Sequence, residues 1–330
     1  MDLAINETSK PAVGIMIGDP CGIGPEVVAK AWATGLLHAV CRPVLVGSAA
    51  VMAAAGRIAG ASCEVNVVRD LADCVADPSV MNLMEPVRFD GTDIAYGRDS
   101  EASGRACGAW LDHLDLLARQ GTFAATVMGP ISSEAMRMAG TLDTIATNKP
   151  ERAYLLLHSG ALTIAHLCDH VPLRQVPGII TRDAVLTLVR TLDRAMASWG
   201  LASRRIAVAG FNPHAHGEEE DRAIAPAIAD ARAEGIAAEG PFSPDSVFRH
   251  CIEGRYDVVV AMYHDQGHIA MKTWGFSGNS VVFLGPPYVH TTVAHGVAYE
   301  IAGTGKADGT MILNAILNAA YLAGGKGFHE

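Results

Sequence analysis

The sequence predicts an α/β fold with a largely parallel sheet, and three observations indicate it. Short apolar runs of strand length alternate along the chain with longer segments of helical periodicity. The chain opens on a strand, a glycine-rich turn and a helix, which is the usual first unit of such a domain. The valine-rich run 257–262 is almost continuously apolar, as expected of a strand that a parallel sheet buries on both faces.

The opening unit consists of a strand at 12–17, a turn at 18–24 that holds three glycines, and a helix from Pro25. The glycine spacing matches neither of the two common phosphate-binding motifs. We therefore favour a tight turn that places Asp19 and Glu26, with direct contact to a ligand as the alternative.

The rest of the chain continues this alternation of strands and helices. The spacing of apolar residues and the positions of glycine and proline define each element. Strands are predicted at 43–47, 126–129, 162–167, 206–210, 257–262 and 281–284, and helices at 48–59, 100–120, 150–158, 181–199, in a segment ending at 233, and at 309–322. Residues 63–92 are expected to form edge strands and loops.

Length and composition exclude several classes of protein. The chain has 330 residues, of which half are apolar and 18% are charged, so it suits one large two-lobed unit or two domains. A net charge of −10 with scattered basic residues gives no surface for nucleic acid. The seven cysteines contain no CxxC pair, which indicates a reducing compartment, and no apolar run approaches the ~18–20 residues of a membrane span. We expect a cytoplasmic protein without nucleic-acid or membrane partners.

Histidines follow three of the predicted strands. The strands that begin at 162, 206 and 257 lead into His170, His214 and His264, each in a loop broken by glycine or proline. Neighbouring strand ends of a parallel sheet lie within reach of one another, so these side chains can converge on one divalent metal. Oxygen ligands are available from Asp169, Asp245, Asp265 and Glu218. The alternative is three unrelated surface histidines among the thirteen of the chain.

Two further features complete a candidate site. Lys272 suits the binding of an anionic substrate group or the transfer of a hydroxyl proton, and a solvated surface lysine is the alternative. The segment 295–308 combines glycines, a helix start and Lys306. That composition suits a backbone-lined pocket for a dinucleotide, although it is not a Rossmann fingerprint.

Seven motifs, in order along essentially the whole chain, resemble one known family. They are GDPCGIGPE at 18–26, GPI at 129–131, HVPLR at 170–174, NPHA at 212–215, GPFSPDSVF at 240–248, MYHDQG at 262–267 and HGVAYEIAGTGKAD at 295–308. On these motifs the chain resembles the 4-hydroxythreonine-4-phosphate dehydrogenase family, the PdxA family of vitamin B6 biosynthesis.

The resemblance implies a fold similar to that of isocitrate and isopropylmalate dehydrogenases: two α/β/α lobes around a central cleft, rather than a Rossmann domain. We place the first lobe, on the dinucleotide side, at 1–130 and 295–330. The second lobe, with the metal and the dimer contacts, is placed at 131–294. A homodimer with the active site at its interface is implied as well.

The resemblance also implies chemistry and residue roles. Family members oxidise the secondary alcohol of a hydroxy acid with NAD, and the β-keto acid then loses carbon dioxide. A divalent metal (Zn, Mg, Mn or Co) is held by three histidines from both subunits, which match His170, His214 and His264. The substrate lysine matches Lys272, which together with Asp265 is our candidate for the proton relay. Binding of NAD or NADP is implied for His295, Gly296, Ala302, Gly303, Lys306 and Asp308.

The departures from the family concern the phosphate of the substrate. The family's His-Thr pair falls on Ala146 and Thr147, its substrate asparagine on Val281, and its phosphate-facing arginine on His290. A bidentate, permanently charged contact is thereby replaced by weaker or neutral groups. His268, in HDQGHI, looks more like the paralogous branches. We therefore first expect a non-phosphorylated substrate, a cis-dihydrodiol of an aromatic dicarboxylate.

Alternatives stay open at this point. Thr147 and His290, together with Thr291 and Thr292, still suit an oxyanion, so 4-hydroxythreonine 4-phosphate or D-erythronate or D-threonate 4-phosphate is the alternative substrate. Asp245 suits a helix N-cap or a substrate-binding carboxylate. A different class of function is a metal- or ligand-binding regulator that has lost catalysis.

Overall fold

The computed structural model describes residues 10–61, 63–146, 153–275 and 279–329. Its chain divides into two units. Met1–Glu151 and Pro286–Gly324 form the first, and Arg152–Gly285 with Gly325–Phe328 forms the second.

The described residues contain strands and helices in regular alternation. The strands are β1 Ala12–Met16, β2 Arg42–Val46, β3 Glu64–Val67, β4 Val80–Met84, β5 Ala125–Met128, β6 Tyr154–Ser159, β7 Leu162–His166, β8 Ile206–Ala209, β9 Ala238–Phe242, β10 Val258–Ala261, β11 Ser280–Leu284 and β12 Val289–Val293. The helices are α1 Gly24–Ala33, α2 Leu37–Val40, α3 Ala49–Ala59, α4 Glu101–Arg119, α5 Ser133–Ala139, α6 Val176–Ile179, α7 Arg182–Ser198, α8 Ala225–Ala233, α9 Val247–Ile252, α10 His264–Trp274 and α11 Thr310–Ala323.

In the first unit the strands pair in the order β3-β4-β2-β1-β5-β12, and every pairing is parallel. The central strand β1 is buried along its whole length, because helices pack on the sheet and leave no solvated face. Trp32 of α1 and Trp110 of α4 are the largest side chains in this core, and both are fully buried.

In the second unit the strands pair in the order β11-β6-β7-β10-β8-β9. β6 is antiparallel to both of its neighbours, whereas β7, β10, β8 and β9 run parallel. The carboxyl ends of β7, β10 and β8 therefore lie at one edge of this sheet, and the polar segments that follow them emerge side by side.

The predicted α/β class is confirmed, and so are most elements. The long amphipathic helix expected at 181–199 is α7, and Ser100 caps α4 as its position before the apolar pattern predicts. Within the described residues, no helix has both the length and the apolar character needed to cross a membrane. The seven cysteines, all of which lie in described segments, form no disulfide.

The helix predicted at 150–158 is wrong. Its described part forms β6, because the run YLLLHS pairs with β11 on one side and β7 on the other and is buried almost throughout. An apolar run of this length has no periodicity that separates a buried strand from a buried helix. A second correction concerns His264, which was expected in a loop and instead begins α10.

The unit boundaries differ from the expected lobes. Residues 131–146 and 286–294 belong to the first unit, because α5 packs on α4 and β12 pairs with β5. Residues 325–328, expected in the first lobe, belong to the second unit. There Phe328 stacks on His158, with ring centroids 3.8 Å apart.

A partly buried ion pair of α1 holds the segment 295–308 in place. Lys30 Nζ donates to Glu26 Oε1 at 2.9 Å and to the backbone carbonyls of Gly305 and Ala307 at 2.7 and 2.6 Å. Glu26 in turn accepts from the backbone N–H of Ala307 at 2.9 Å and is only 3% exposed. The backbone of this segment is therefore fixed by charge-assisted hydrogen bonds to one helix.

The glycine-rich turn at 18–24 packs against the same segment. Ile23 N donates to Val297 O at 3.0 Å. A Cβ atom on Gly22 would lie 2.7 Å from the Cβ of Val297, so only glycine permits this approach. The favoured interpretation of the glycines as a tight turn agrees with this contact.

A second network joins these segments through Tyr299. Its hydroxyl donates to Asp19 Oδ2 at 2.8 Å and lies 3.0 Å from Asp99 Oδ1. Asp19 also accepts from Ser103 Oγ at 2.6 Å, and Ser132 Oγ donates to Asp99. Burial raises the pKa of Asp19, against the opposing effect of these donors. One phenolic proton thus serves two carboxyl groups inside the first unit.

We predict that Lys30→Met lowers the free energy of unfolding by about 1.5–3 kcal/mol, the cost of leaving hydrogen-bond partners of a charged group unpaired. Glu26 would keep a buried carboxylate without its cation. Urea unfolding measures the change. Arg105→Met is the matched control, because it breaks an ion pair with Glu101 that is more than half exposed on both sides and should change stability little. Equal effects of the two substitutions would contradict the assignment.

We also predict a pH-dependent effect of Asp19→Asn. Because the folded state raises the pKa of Asp19, its carboxyl group favours folding below the ordinary value of 3.8, and this contribution is lost as the pH rises through the raised pKa. The variant cannot ionise. Its stability relative to the natural chain should therefore increase with pH in that window, by at most about 1.4 kcal/mol per pH unit. Urea unfolding at a series of pH values measures this, and a pH-independent difference would contradict it.

Candidate metal centre

Three metal-capable side chains meet at the strand edge of the second unit. Asp169 and His170 follow β7, and His264 begins α10 directly after β10. One ligand atom from each of these residues lies within 4.8 Å of the others. We call Asp169, His170 and His264 the outer group. Parallel pairing of β7 with β10 produces it, because Ala261 and His166 are register partners and both chains then leave the sheet at the same edge.

The start of α10 is fixed by the glutamine of the HDQG motif. Gln266 Oε1 accepts from the backbone N–H of Met262 at 2.7 Å, and Gln266 Nε2 donates to Gly210 O at 2.9 Å. One side chain thus ties the first turn of α10 to the ends of β10 and β8. His264 is positioned by these bonds.

Both histidines of the outer group are paired with a carboxylate. His170 Nδ1 lies 3.0 Å from Asp169 Oδ1, an ion-pair distance, and this carboxylate raises the pKa of His170 above its ordinary 6.5. His264 Nδ1 lies 2.6 Å from Asp265 Oδ1, and the same bond lowers the pKa of Asp265. A carboxylate on Nδ1 fixes the tautomer that leaves Nε2 as the ligand atom. The donor set therefore fits a divalent metal, with nitrogen ligands that favour zinc or cobalt over magnesium.

The third predicted ligand, His214, is not part of the outer group within the described chain. It is exposed in the short turn Pro213–Ala215 after β8, with φ of 57° in the left-handed region. Asp245 is exposed as well, and its pKa is lowered first by the hydroxyl of Ser243, which donates to it at 2.7 Å. Asp245 therefore has a local hydrogen-bond role, and its contact with a substrate stays a prediction.

Two histidines beside the outer group were not assigned to the site from the sequence. His268 stacks on His264 with ring centroids 3.6 Å apart, and His166, at the end of β7, lies 4.8 Å from His268. Burial lowers the pKa of His166 to about 3 and that of His268 to about 4, so both rings are neutral at neutral pH. The HxxxH spacing of His264 and His268 was the available signal, whereas a histidine inside an apolar strand gives none.

Lys272 lies on the same face of α10 as these histidines. Positions 264, 268 and 272 are spaced by four residues, so their side chains follow one another along the helix. Lys272 is exposed, and its charge contributes to the lowered pKa of both Asp265 and His268. Its proximity to the imidazoles is what a proton-transfer or anion-binding role needs.

The predicted cofactor residues lie in the first unit, around the short helix Tyr299–Ile301. Their backbone is held by the bonds to α1 described above. His295 Nδ1 lies 2.8 Å from Gly296 O, and Asp308 accepts a hydrogen bond from Thr310 N at 2.9 Å. Ala302 is buried, and Gly303 has φ of +76°. The side chain of Lys306 is exposed. The segment offers an ordered backbone with a cation, and its binding of a dinucleotide stays a prediction.

The predicted phosphate contacts are largely engaged elsewhere. Thr147 lies outside the described residues. His290 is buried on β12, and its Nδ1 lies 2.7 Å from Thr126 Oγ1 on the register partner in β5. The hydroxyls of Thr291 and Thr292 donate to the backbone carbonyls of Ala315 and Met128. Those two hydroxyl protons are therefore not available to an oxyanion.

Comparison with known proteins places the chain in a family. The family model described as "Pyridoxal phosphate biosynthetic protein PdxA" matches residues 39–319. A "Putative 4-hydroxythreonine-4-phosphate dehydrogenase" from Novosphingobium aromaticivorans is 53% identical over 98% of both chains. A "Putative D-threonate 4-phosphate dehydrogenase" from Symbiobacterium thermophilum is 36% identical, over 96% of this chain and 98% of that one.

Solved structures agree with these relatives. The 4-hydroxythreonine-4-phosphate dehydrogenase of Klebsiella pneumoniae has a TM-score of 0.85 and 33% identity, with 95% of this chain and 98% of that chain covered. A terephthalate 1,2-cis-dihydrodiol dehydrogenase from Burkholderia xenovorans has a TM-score of 0.69 and 27% identity, with 94% and 98% covered. The resemblance that the seven motifs indicate is confirmed, and the chain belongs to the PdxA family.

Proposed function

We propose that this chain is a metal-dependent, NAD- or NADP-linked dehydrogenase that oxidises the secondary alcohol of a four-carbon hydroxy acid 4-phosphate. The observation that carries the proposal is the outer group, a carboxylate-supported imidazole cluster in a chain 53% identical to a relative named for this activity. 4-Hydroxythreonine 4-phosphate and D-threonate 4-phosphate are the two substrates that the names of its relatives suggest.

The comparisons favour a phosphorylated substrate over the cis-dihydrodiol that the sequence first suggested. Relatives named for 4-phosphates reach 53% and 36% identity, whereas the structure named for a dihydrodiol reaches 27% with a TM-score of only 0.69. The dihydrodiol remains the second candidate, because Val281 and His290 occupy the positions of the family's asparagine and arginine. It serves as the competing substrate in the test below.

The residues of the outer group would hold the metal through imidazole nitrogen, with Asp169 as an oxygen ligand or as the orienting partner of His170. A divalent ion bound there would lower the pKa of the substrate hydroxyl and stabilise negative charge on oxygen. The resemblance implies three histidines drawn from both subunits of a homodimer, and His214 would be the third of them. Asp265 holds His264 Nδ1, so it positions a ligand, which is a more direct role than the relay we first expected.

Lys272 would take part in the relay of the hydroxyl proton or would bind the anionic end of the substrate. Its place one helical turn beyond His268 and two beyond His264 supports both roles. Oxidation of the alcohol would transfer a hydride to NAD or NADP. By resemblance the segment 295–308 would bind this dinucleotide, and Glu26 and Lys30 order its backbone. The resulting β-keto acid would lose carbon dioxide at the same centre, and Lys272 would return the proton.

We expect NADH formation with 4-phosphohydroxythreonine or with D-threonate or D-erythronate 4-phosphate, and none with cis-dihydrodiols of phthalate isomers. The purified chain is assayed with zinc, cobalt, manganese or magnesium, and the absorbance of NADH is followed. His264→Ala is the control for contaminating dehydrogenases, because it removes a ligand from the proposed centre.

Each outcome of this assay decides between the proposed substrates or between the proposed functions. Turnover of a dihydrodiol alone would overturn the phosphorylated substrate but leave the dehydrogenase intact. Saturable binding of a 4-phosphate without turnover would instead support a regulator that has lost catalysis. Activity of His264→Ala equal to that of the natural chain would contradict the metal centre itself.

We predict that Lys272→Met lowers kcat by about 10²–10⁴-fold, the usual contribution of a positioned acid or base. Metal content should be unchanged, because Lys272 is not in the outer group. Lys306→Met is the matched control: it removes another exposed lysine, from the predicted cofactor segment, and should raise the KM for NAD while kcat is retained. An unchanged kcat for Lys272→Met would remove this lysine from proton transfer.

A further inference from the structure

A cavity of about 270 Å³ lies in the first unit, apart from the predicted cofactor segment. Lys10 precedes β1, Arg42 begins β2, and the loop 74–78 precedes β4, and all of them line the cavity. These strands pair in parallel, so their amino ends share one edge of the sheet. The segment 295–308 packs instead against the turn that follows the carboxyl end of β1. The cavity and the predicted cofactor segment therefore lie at opposite edges of the sheet.

Two buried side chains hold the loop 74–78, which forms the outer wall of the cavity. Asn82 Nδ2 donates to Val75 O, and Asn82 Oδ1 accepts from Val75 N, both at 2.9 Å. Trp32 Nε1 donates to Pro78 O at 2.9 Å. Because Asn82 stands on β4 and Trp32 on α1, the loop is fixed to regular elements. The cavity is therefore preformed, as small-molecule sites usually are.

Two cations stand in the wall of this cavity. Lys10 Nζ donates one of its three N–H groups to His38 O at 2.7 Å, and the guanidinium of Arg42 makes no hydrogen bond or ion pair within the described chain. Burial raises the pKa of Cys41, a thiol of the wall, and the charge of Lys10 opposes that rise. Burial also raises the pKa of Cys74, on the opposite wall, and Arg42 opposes it. Both positive charges therefore act on groups that face the cavity.

The loop before β4 also carries carboxylates, at Asp70, Asp73 and Asp77, but none of the three is among the residues that line the cavity. Each accepts a hydrogen bond from a nearby backbone N–H, those of Ala72, Arg69 and Ser79 respectively. The charge of Arg42 acts on Cys74 more strongly than that of Asp73 or of Asp70. The carboxylates thus have local roles in the loop, and the charged groups of the cavity wall itself are basic.

We propose that this cavity binds a small organic anion whose apolar body is about the size of one aromatic ring and whose charged head is held by Lys10 and Arg42. A cavity of about 150 Å³ already accepts benzene, so the volume here is sufficient for a ring with a carboxylate or phosphate head. Pro43, Val44 and Leu71 supply apolar wall for the ring. The fork of Arg42 suits either head group in a bidentate contact.

The test titrates the full chain with benzoate and with phenyl phosphate, and isothermal titration calorimetry measures affinity and stoichiometry. We expect one saturable site per chain for at least one of the two anions, and the better ligand identifies the preferred head group. Benzamide keeps the ring but carries no charge, so it should bind at least about 10-fold more weakly, the loss expected for a charge-assisted hydrogen bond. Inorganic phosphate has no apolar body and should bind more weakly as well.

Thiol labelling locates the bound anion. Cys74 and Cys63 are both half-buried thiols of the first unit, but only Cys74 lines the cavity. A bound anion should therefore slow the reaction of Cys74 with iodoacetamide and leave that of Cys63 unchanged. Mass spectrometry of the two peptides measures both rates in one sample, so Cys63 is an internal control.

Substitutions then test the two cations. Arg42→Gln and Lys10→Met should each weaken binding of the better anion by about 10-fold, because each removes one charged donor. Arg69→Gln is the matched control, since Arg69 is an exposed arginine of the same region that does not line the cavity. Circular dichroism and thermal unfolding establish that each variant is folded.

Three results would overturn the anion site: no binding of either anion, binding that leaves the labelling of Cys74 unchanged, or full affinity in both Arg42→Gln and Lys10→Met. The second result would place the anion elsewhere, for example at the candidate metal centre. The site does not depend on the proposed reaction, because its readouts are binding and labelling and not turnover. A chain that oxidises none of the tested alcohols can still confirm or refute it.

Discussion

The candidate metal centre depends on one recurring interaction, the engagement of an imidazole Nδ1 atom by an oxygen. Carboxylates serve His170 and His264, and backbone carbonyls serve His166 and His268. Each contact favours the tautomer that leaves Nε2 with its lone pair, and the four rings lie close together at the carboxyl edge of the second sheet. Placement of the rings follows from the parallel pairing of β7 with β10, and from Gln266, which holds the start of α10.

The first unit applies the same principle to a backbone segment. The residues at 295–308 have little regular structure, and their order depends on polar side chains from distant parts of the chain. Glu26 and Lys30 bond directly to this backbone, and Tyr299 shares its proton between Asp19 and Asp99. Buried charges of this kind are costly unless they are fully paired, so they favour the one conformation in which every partner is in place. Substitution of any one partner is therefore expected to destabilise the fold. The predicted cofactor segment is therefore held by α1 and by side chains of two loops, at Asp19 and Asp99.

The sequence was informative where a pattern is local. Periodicity predicted α7, and an apolar strand ending in polar residues predicted that His170 and His264 would meet. It failed where strand pairing decides the structure. The run YLLLHS forms β6 because it pairs with two neighbouring strands, and the threonine-rich β12, where no strand was predicted, pairs with β5. His166 was missed because a histidine in an apolar strand looks like a core residue, and its unpaired nitrogen is visible only in three dimensions.

The first expectation about the substrate shows a limit of counting aligned residues. Counting residues along the sequence shows that His290 occupies the position of the family's arginine. It does not show which groups the ring of His290 contacts. In the structure its Nδ1 is engaged by Thr126, and the adjacent threonine hydroxyls donate to the backbone. These groups do not rebuild a bidentate contact, because the ring of His290 is engaged and both hydroxyl protons are donated to backbone carbonyls. The position of the family's arginine therefore offers no planar, permanently charged fork. If the chain acts on a 4-phosphate, as the names of its relatives suggest, other groups would have to bind the phosphate.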